Sequence, residues 1–260
     1  HPATDGLTLQ VLGSVLEIFL SPFAKWGIFW DYGSLFQHPD SDSGIVRSME
    51  EEILFKHGLD SLSQFFAHPN TRVLKLSQIP SSVLLSTSSR TATHNTKPYH
   101  DRGWPFVESC WAGLTKNSEF VLVLGAWIPV LAPDDEAHRL AYLLDQLRQG
   151  TRRAPLLPDE FNSIVDMKSF STVMDDGPLV KRLYRACFVE QFRITSRFSY
   201  AKLGWSNDDV LQLSKIIEGG CISNAIAELN LSANRFDGTS FQRLCEGLVD
   251  QGISVADFQA

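Results

Sequence analysis

Apolar residues along this chain switch repeatedly between helical and strand spacing, and the alternation predicts helices interleaved with short strands. Residues 7–20 are apolar but carry Gln10 and Glu17, which predicts an amphipathic helix capped by Asp5 and too short to cross a bilayer. Ser21-Pro22 ends that pattern. The aromatic run Trp26-Gly27-Ile28-Phe29-Trp30 predicts a buried strand closed by Asp31. After a polar stretch (37–44), Ile45, Met49, Ile53, Leu59, Leu62, Phe65 and Phe66 recur as on a long helix, with Gly58 a point of interruption. Two further strands are predicted over 72–76 and 120–124. Between them, the Ser/Thr-rich stretch 81–97 has no periodicity and is expected to be a mobile loop, and Pro105 marks the first turn of a helix. Val107, Cys110, Trp111 and Leu114 form that helix's buried stripe. Leu140, Leu143, Leu144 and Leu147 predict one more helix; 151–158, with two prolines and two arginines, reads as a linker; 159–177 carry no clear pattern.

Strands alternating with helices at this pitch point to an α/β fold with a parallel sheet, whose chemistry collects at the carboxyl ends of the strands. Asp31 and Tyr32 follow the first strand and Arg102 to Glu108 follow the second, so both segments are expected at one crevice. Glu108 lies three or four residues from Trp104, Pro105, Trp111 and Ala112, which sets its carboxylate beside the apolar stripe and next to an indole. Two readings of Glu108 stay open: an ion pair with Arg102 or another basic group, and an acid that works on a ligand. Asp31 likewise either closes a turn or faces the crevice. Trp104 and Trp111 either anchor the core or offer a stacking surface.

Composition narrows the field. Acidic residues outnumber basic ones 30 to 23 and no basic stripe is present, which argues against nucleic acid. The seven histidines are scattered without metal-ligand spacing, so no metal site is expected, and no serine nucleophile elbow occurs. Cys110, Cys187, Cys221 and Cys245 are far apart in sequence and mostly within apolar helical patterns, as reduced thiols of a cytoplasmic protein would be. The chain starts at His1 rather than methionine, without a signal-peptide pattern, and is expected to be a fragment.

The last third repeats itself. Ile226, Leu229, Leu231, Asn234, Phe236, Phe241, Leu244 and Leu248 follow a strand-then-helix spacing, and Phe198, Tyr200, Leu203, Trp205, Val210, Leu213 and Ile217 overlay it with one loop adjustment. Val255 and Phe258 read as the start of a third unit. Asn234 is expected to satisfy backbone groups where the chain turns.

Residues 194–260 resemble leucine-rich repeats of the ribonuclease-inhibitor type, with Leu229-Asn-Leu-Ser-Ala-Asn234 the specific match. Phe29-Trp30-Asp31-Tyr32-Gly-Ser34-Leu35-Phe-Gln37 together with Arg102-Gly-Trp104-Pro105-Phe-Val-Glu108 is similar to a set of protist proteins whose patterns resemble the heterokaryon-incompatibility domain and the Toll/interleukin-1 receptor (TIR) domain. That resemblance implies a flavodoxin-like parallel sheet, here without its first strand, over residues 1–150. A linker and helix over 151–193 and an incomplete repeat array over 194–260 follow. It also implies a signalling or scaffold protein that self-associates through its α/β domain and binds a protein partner through its repeats, without nucleic acid or membrane. The alternative it implies is an NAD hydrolase, with NAD as substrate and no cofactor. Glu108 would then be the catalytic acid, and Asp31, Tyr32, Arg102 and Trp104 would bind the ligand; a carboxylate steadies an oxocarbenium-like state, an indole stacks on a base and an arginine holds a phosphate.

Overall fold

The structure is a computed structural model that describes residues 13, 16–17, 25, 27–30, 34–36, 46–77, 98–124, 152–170, 173–222 and 226–253. Most of the predicted first helix, Asp31 and Tyr32, the 81–97 loop, the 140–147 helix and the start of a third repeat lie outside the described residues. The chain divides into two compact units. One comprises His1–Leu62, Gln78–Thr96 and Ala126–Tyr142; the other comprises Ser63–Ser77, Lys97–Gly125 and Leu143–Ala260. The second unit therefore joins the central strands with the carboxy-terminal repeats, a grouping that differs from the expected divisions near 150 and 193.

In the first unit, helix α1 (Met49–Ala67, whose last residues, 63–67, belong to the second unit) begins where Ser48 and Glu51 cap one another, the Ser48 N–H donating to Glu51 Oε2 at 2.8 Å. Arg47 clamps its start: Nη1 meets Glu52 Oε2 at 2.9 Å, Nε donates to Phe36 O at 2.8 Å, and the guanidinium lies 3.6 Å from the Phe55 ring centre. Gly58 does not interrupt the helix. A Cβ there would come within 2.5 Å of Leu35 Cδ2, so glycine permits a close approach. Residues 27–30, predicted as a strand, lie in no ladder. Ile28 is 58% exposed, and Trp30 instead closes a turn in which Ser34 N–H donates to its carbonyl at 2.7 Å. A central parallel strand needs both faces covered, and this segment lacks that cover.

The second unit is α/β, with two short parallel sheets. Strands β1 (Val73–Lys75) and β2 (Val121–Val123) pair in parallel, Val73 opposite Val121 and Lys75 opposite Val123. Helix α2 (Gly103–Ala112) precedes β2 and covers the pair: Ala112 packs on Val73 and Val121, and Phe66 stacks on Trp111 with ring centres 6.3 Å apart. Val107, Cys110, Trp111 and Leu114 are all buried, as the spacing predicts, and Pro105 sits in the first turn. Gly103 starts the helix because the Phe170 ring occupies the space of a Cβ, 2.3 Å from where one would lie.

The predicted linker is a packed connection. Arg152 is buried, and its guanidinium donates to Gly113 O from Nε (3.1 Å) and Nη2 (2.9 Å) and to Lys116 O from Nη1. The patternless stretch after it holds helix α3 (Pro158–Val165), with proline in the first turn and the Leu157 N–H donating to Glu160, and then helix α4 (Val173–Ile194). Phe161 stacks on Tyr184 at 3.7 Å. From there Phe188, Phe192, Phe198, Tyr200 and Trp205 carry a continuous aromatic seam into the repeats.

Two strand–helix units of like build end the described chain: β3 (Arg197–Ser199) with α5 (Asn207–Glu218), and β4 (Glu228–Asn230) with α6 (Gly238–Asp250). The strands pair in parallel, Arg197 opposite Glu228, Phe198 opposite Leu229 and Ser199 opposite Asn230. At the same offset Lys202 and Ala233 both take left-handed backbone (φ 58° and 57°), so both turns are built alike. Cys110 and Cys187 are buried, Cys221 and Cys245 are half-buried, and none of the four is in a disulfide. Among the described residues no helix is long and apolar enough to cross a membrane.

Candidate functional site

Alternation along β1 turns Val73 and Lys75 to the same, buried side. Lys75 is the last residue of the strand and as a residue is 4% exposed, so an ammonium-bearing chain ends at the carboxyl end of a parallel strand pair. A cleft of about 410 Å3 opens there. Its walls come from Lys75 and Val123 at the strand ends, from Tyr99 and His100 in the turn before α2, and from Phe106, Ser109 and Cys110 on one face of α2. Ser77, Arg152 and Arg153, then Leu203 to Trp205 and Asp209, complete it. A strand end lined by helix and loop residues is where an α/β sheet offers a ligand site.

The cleft is cationic. Burial pushes the Lys75 ammonium down to about 8, with Arg152 and Arg153 acting in the same direction and Cys110 and Glu108 opposing them. Burial, then Lys75, Arg153 and Lys168, hold His100 below the usual histidine range. The Cys110 thiol is pushed up to about 12, chiefly by burial, which keeps it protonated at neutral pH. Arg153 and Lys168 flank the Phe106 ring at 5.5 and 4.9 Å from its centre. Asp209 is occupied: its Oδ2 accepts from the Ser206 N–H (3.0 Å) and hydroxyl (3.1 Å), and its Oδ1 accepts from the Ala154 N–H (3.3 Å).

The residues singled out from sequence divide over two faces of α2. Helical geometry sets Trp104 and Glu108 on the face opposite Phe106, Ser109 and Cys110. The Trp104 indole N–H donates to Asp176 Oδ2 at 3.2 Å, and its ring meets Phe170 edge-on, so this indole ties α2 to the start of α4. Arg102 bridges Ser169 through its backbone and lies 5.6 Å from the centre of the Tyr99 ring. Glu108 is half-buried and, though it lines no wall of the cleft, its charge is felt at Lys75. Asp31 and Tyr32 are among the residues not described. Lys75 itself went unnoticed within the apolar run 72–76; the signal was a charged residue in phase with a buried valine.

A second concavity lies on the strand face of the repeats, an open groove of about 520 Å3. Phe198 and Leu229 point inward, while Arg197, Ser199, Glu228 and Asn230 line the groove, joined by Glu119 and Lys202. Comparison of the chain with family models, with curated proteins and with solved structures finds no match.

Proposed function

We propose that this protein acts by protein–protein recognition, as a signalling or scaffold protein whose repeat units present the β3–β4 face to a partner. The observation that carries the reading is the register of that face. Arg197 stands opposite Glu228 and Ser199 opposite Asn230, all along one groove, while the alternate residues Phe198 and Leu229 supply the rigid base. Stacked units that repeat an outward row of polar side chains form the recognition surface of a solenoid, and this one reads as leucine-rich repeats. Positive and negative side chains placed side by side favour a partner segment of mixed charge.

The test reverses the pair. Arg197 and Glu228 are both exposed, so Arg197→Glu with Glu228→Lys leaves the core intact. A partner retained by the full chain, purified and titrated back, is expected to bind the double variant at least about tenfold more weakly. Reversal of the remote surface pair Arg243 and Glu218, 3.4 Å apart on the helical side, is expected to leave binding unchanged. Equal binding by the β3–β4 variant overturns this reading.

A further inference from the structure

The cleft at Lys75 contains two polar groups that the chain itself does not satisfy. Lys75 as a residue is 4% exposed and its ammonium has no hydrogen bond or ion pair among the described residues, and Ser109 Oγ is buried without a hydrogen-bond partner. Both line the same cavity. Buried polar groups in folded proteins are nearly always paired, so an orphaned hydroxyl and an ammonium with no hydrogen bond, lining one cavity, call for a ligand with acceptor oxygens. The charge around them agrees. Arg153 stands exposed at the mouth, and the Asp209 carboxylate is engaged by Ser206 and Ala154; Lys168 lies across Phe106 but is 3.9 Å from Asp101 Oδ1. Glu108 bears on Lys75 from α2 but leaves the cationic excess standing.

We infer that this cleft binds a small phosphomonoester, its phosphate taken by Lys75 and Ser109 and its second negative charge met by Arg153. A dianion suits the site better than a monocarboxylate, because more than one cation is present, and a lysine ammonium binds phosphate as a point charge. The cavity of about 410 Å3 exceeds the needs of a bare phosphate, so the organic part lies along Tyr99, Val123 and Leu203. The site uses none of the residues of the β3–β4 groove and stands or falls independently of it.

Titration calorimetry of the full chain tests the inference with inorganic phosphate, glucose 6-phosphate and adenosine monophosphate as probes and with glucose, adenosine and succinate as controls. At least one organic phosphate is expected to bind saturably, at least about tenfold tighter than its uncharged counterpart, than inorganic phosphate and than succinate. Lys75→Met is expected to weaken it by at least about tenfold, and Arg153→Ala to weaken it and flatten its salt dependence. Near pH 8, where Lys75 is partly neutral, binding is expected to take up protons, a signature that a purely structural lysine would not produce. If Lys75→Met fails to fold, Ser109→Ala and Arg153→Ala carry the test. Absence of saturable phosphate binding, a preference for inorganic phosphate or succinate, or full affinity in these variants overturns the inference.

Discussion

Asn234 holds Trp205 from the neighbouring strand–helix unit: its Oδ1 accepts the Trp205 N–H at 3.0 Å and the Leu203 N–H at 3.0 Å. Its Nδ2 donates to Tyr200 O and to Leu231 O, both at 2.8 Å, so one side chain closes the turns of both units. Asn234→Ala strands two donors and two acceptors at a half-buried position. Because water reaches part of the site, the loss is less than the sum of four bonds, and about 2–3 kcal/mol is expected. Urea unfolding should show a lower midpoint with an unchanged slope. Asn234→Asp keeps the acceptor and loses both donated bonds, and is expected to fall between.

Arg152 predicts a second, larger loss. Its guanidinium satisfies Gly113 O and Lys116 O and lies 4.8 Å from the Tyr200 ring centre, while its own carbonyl accepts the Trp205 indole N–H at 2.8 Å. Burial pushes its pKa down to about 10, so it remains charged at neutral pH and depends on those carbonyls. Arg152→Ala leaves both acceptors bare beside a cavity, and about 3 kcal/mol is expected from thermal or urea unfolding. Arg152→Lys is expected to recover little, since an ammonium cannot span two carbonyls as the planar fork does.

These two residues also mark where sequence reading succeeds and where it stops. Asn234 was legible because it holds a fixed place in the repeat spacing, although most of its partners are distant in sequence, and the strands at 73–75 and 121–123 and the stripe Val107, Cys110, Trp111 and Leu114 were legible from their periodicity. Arg152 reads as part of a linker because it belongs to no repeat or periodic pattern that would point to partners 36 and 39 residues away, and composition carries no record of such contacts. The aromatic run ending at Trp30 has strand composition, yet Ser34 draws it into a turn and Ile28 stays exposed. For the site, the sequence reading set a crevice past the strand predicted at 26–30 and past that at 72–76; residues 27–30 form no strand, and the cleft described lies at the ends of β1 and β2 beside α2. That reading chose the face of Trp104 and Glu108, however, because an indole beside a carboxylate stands out in sequence, whereas only its phase with Val73 marks Lys75 as buried.

The α6 cap predicts a local acid response. Asp237 Oδ1 accepts the Thr239 and Ser240 N–H groups at 3.1 and 3.0 Å, and its Oδ2 accepts from Asn207 Nδ2 at 2.9 Å, linking the starts of α5 and α6. Bonds from Ser240 first, backbone and hydroxyl, and then from Asn207 hold the carboxyl below its usual value. A depressed folded pKa means that the unfolded chain binds the proton first as pH falls. The cap's contribution is therefore present above the ordinary aspartate range and disappears as pH drops through the lower, folded value. Carboxyl NMR titration should place Asp237 below the ordinary aspartate range, and Asn207→Ala should move it back toward that range.

Lys75 predicts an opposite and more alkaline dependence. Burial holds it at about 8 in the folded chain against 10.5 when free, so above pH 8 the unfolded state binds the extra proton and stability rises with pH. Cys110 and Cys187, pushed up from 9.0 to about 12 by burial, act in the other direction as their unfolded thiols ionise across pH 8 to 9, so wild-type stability alone mixes both effects in that window. Lys116, pushed down to about 7, adds a slope of the same sign that begins earlier, so the difference between wild type and Lys75→Met isolates Lys75. One titrating group changes stability by at most about 1.4 kcal/mol per pH unit, and a gain of about 0.5–1 kcal/mol from pH 8 to 9 is expected in wild type relative to the variant. Urea midpoints measured at both pH values supply the comparison, and a difference that stays constant across the window would show that Lys75 keeps its proton in the folded chain.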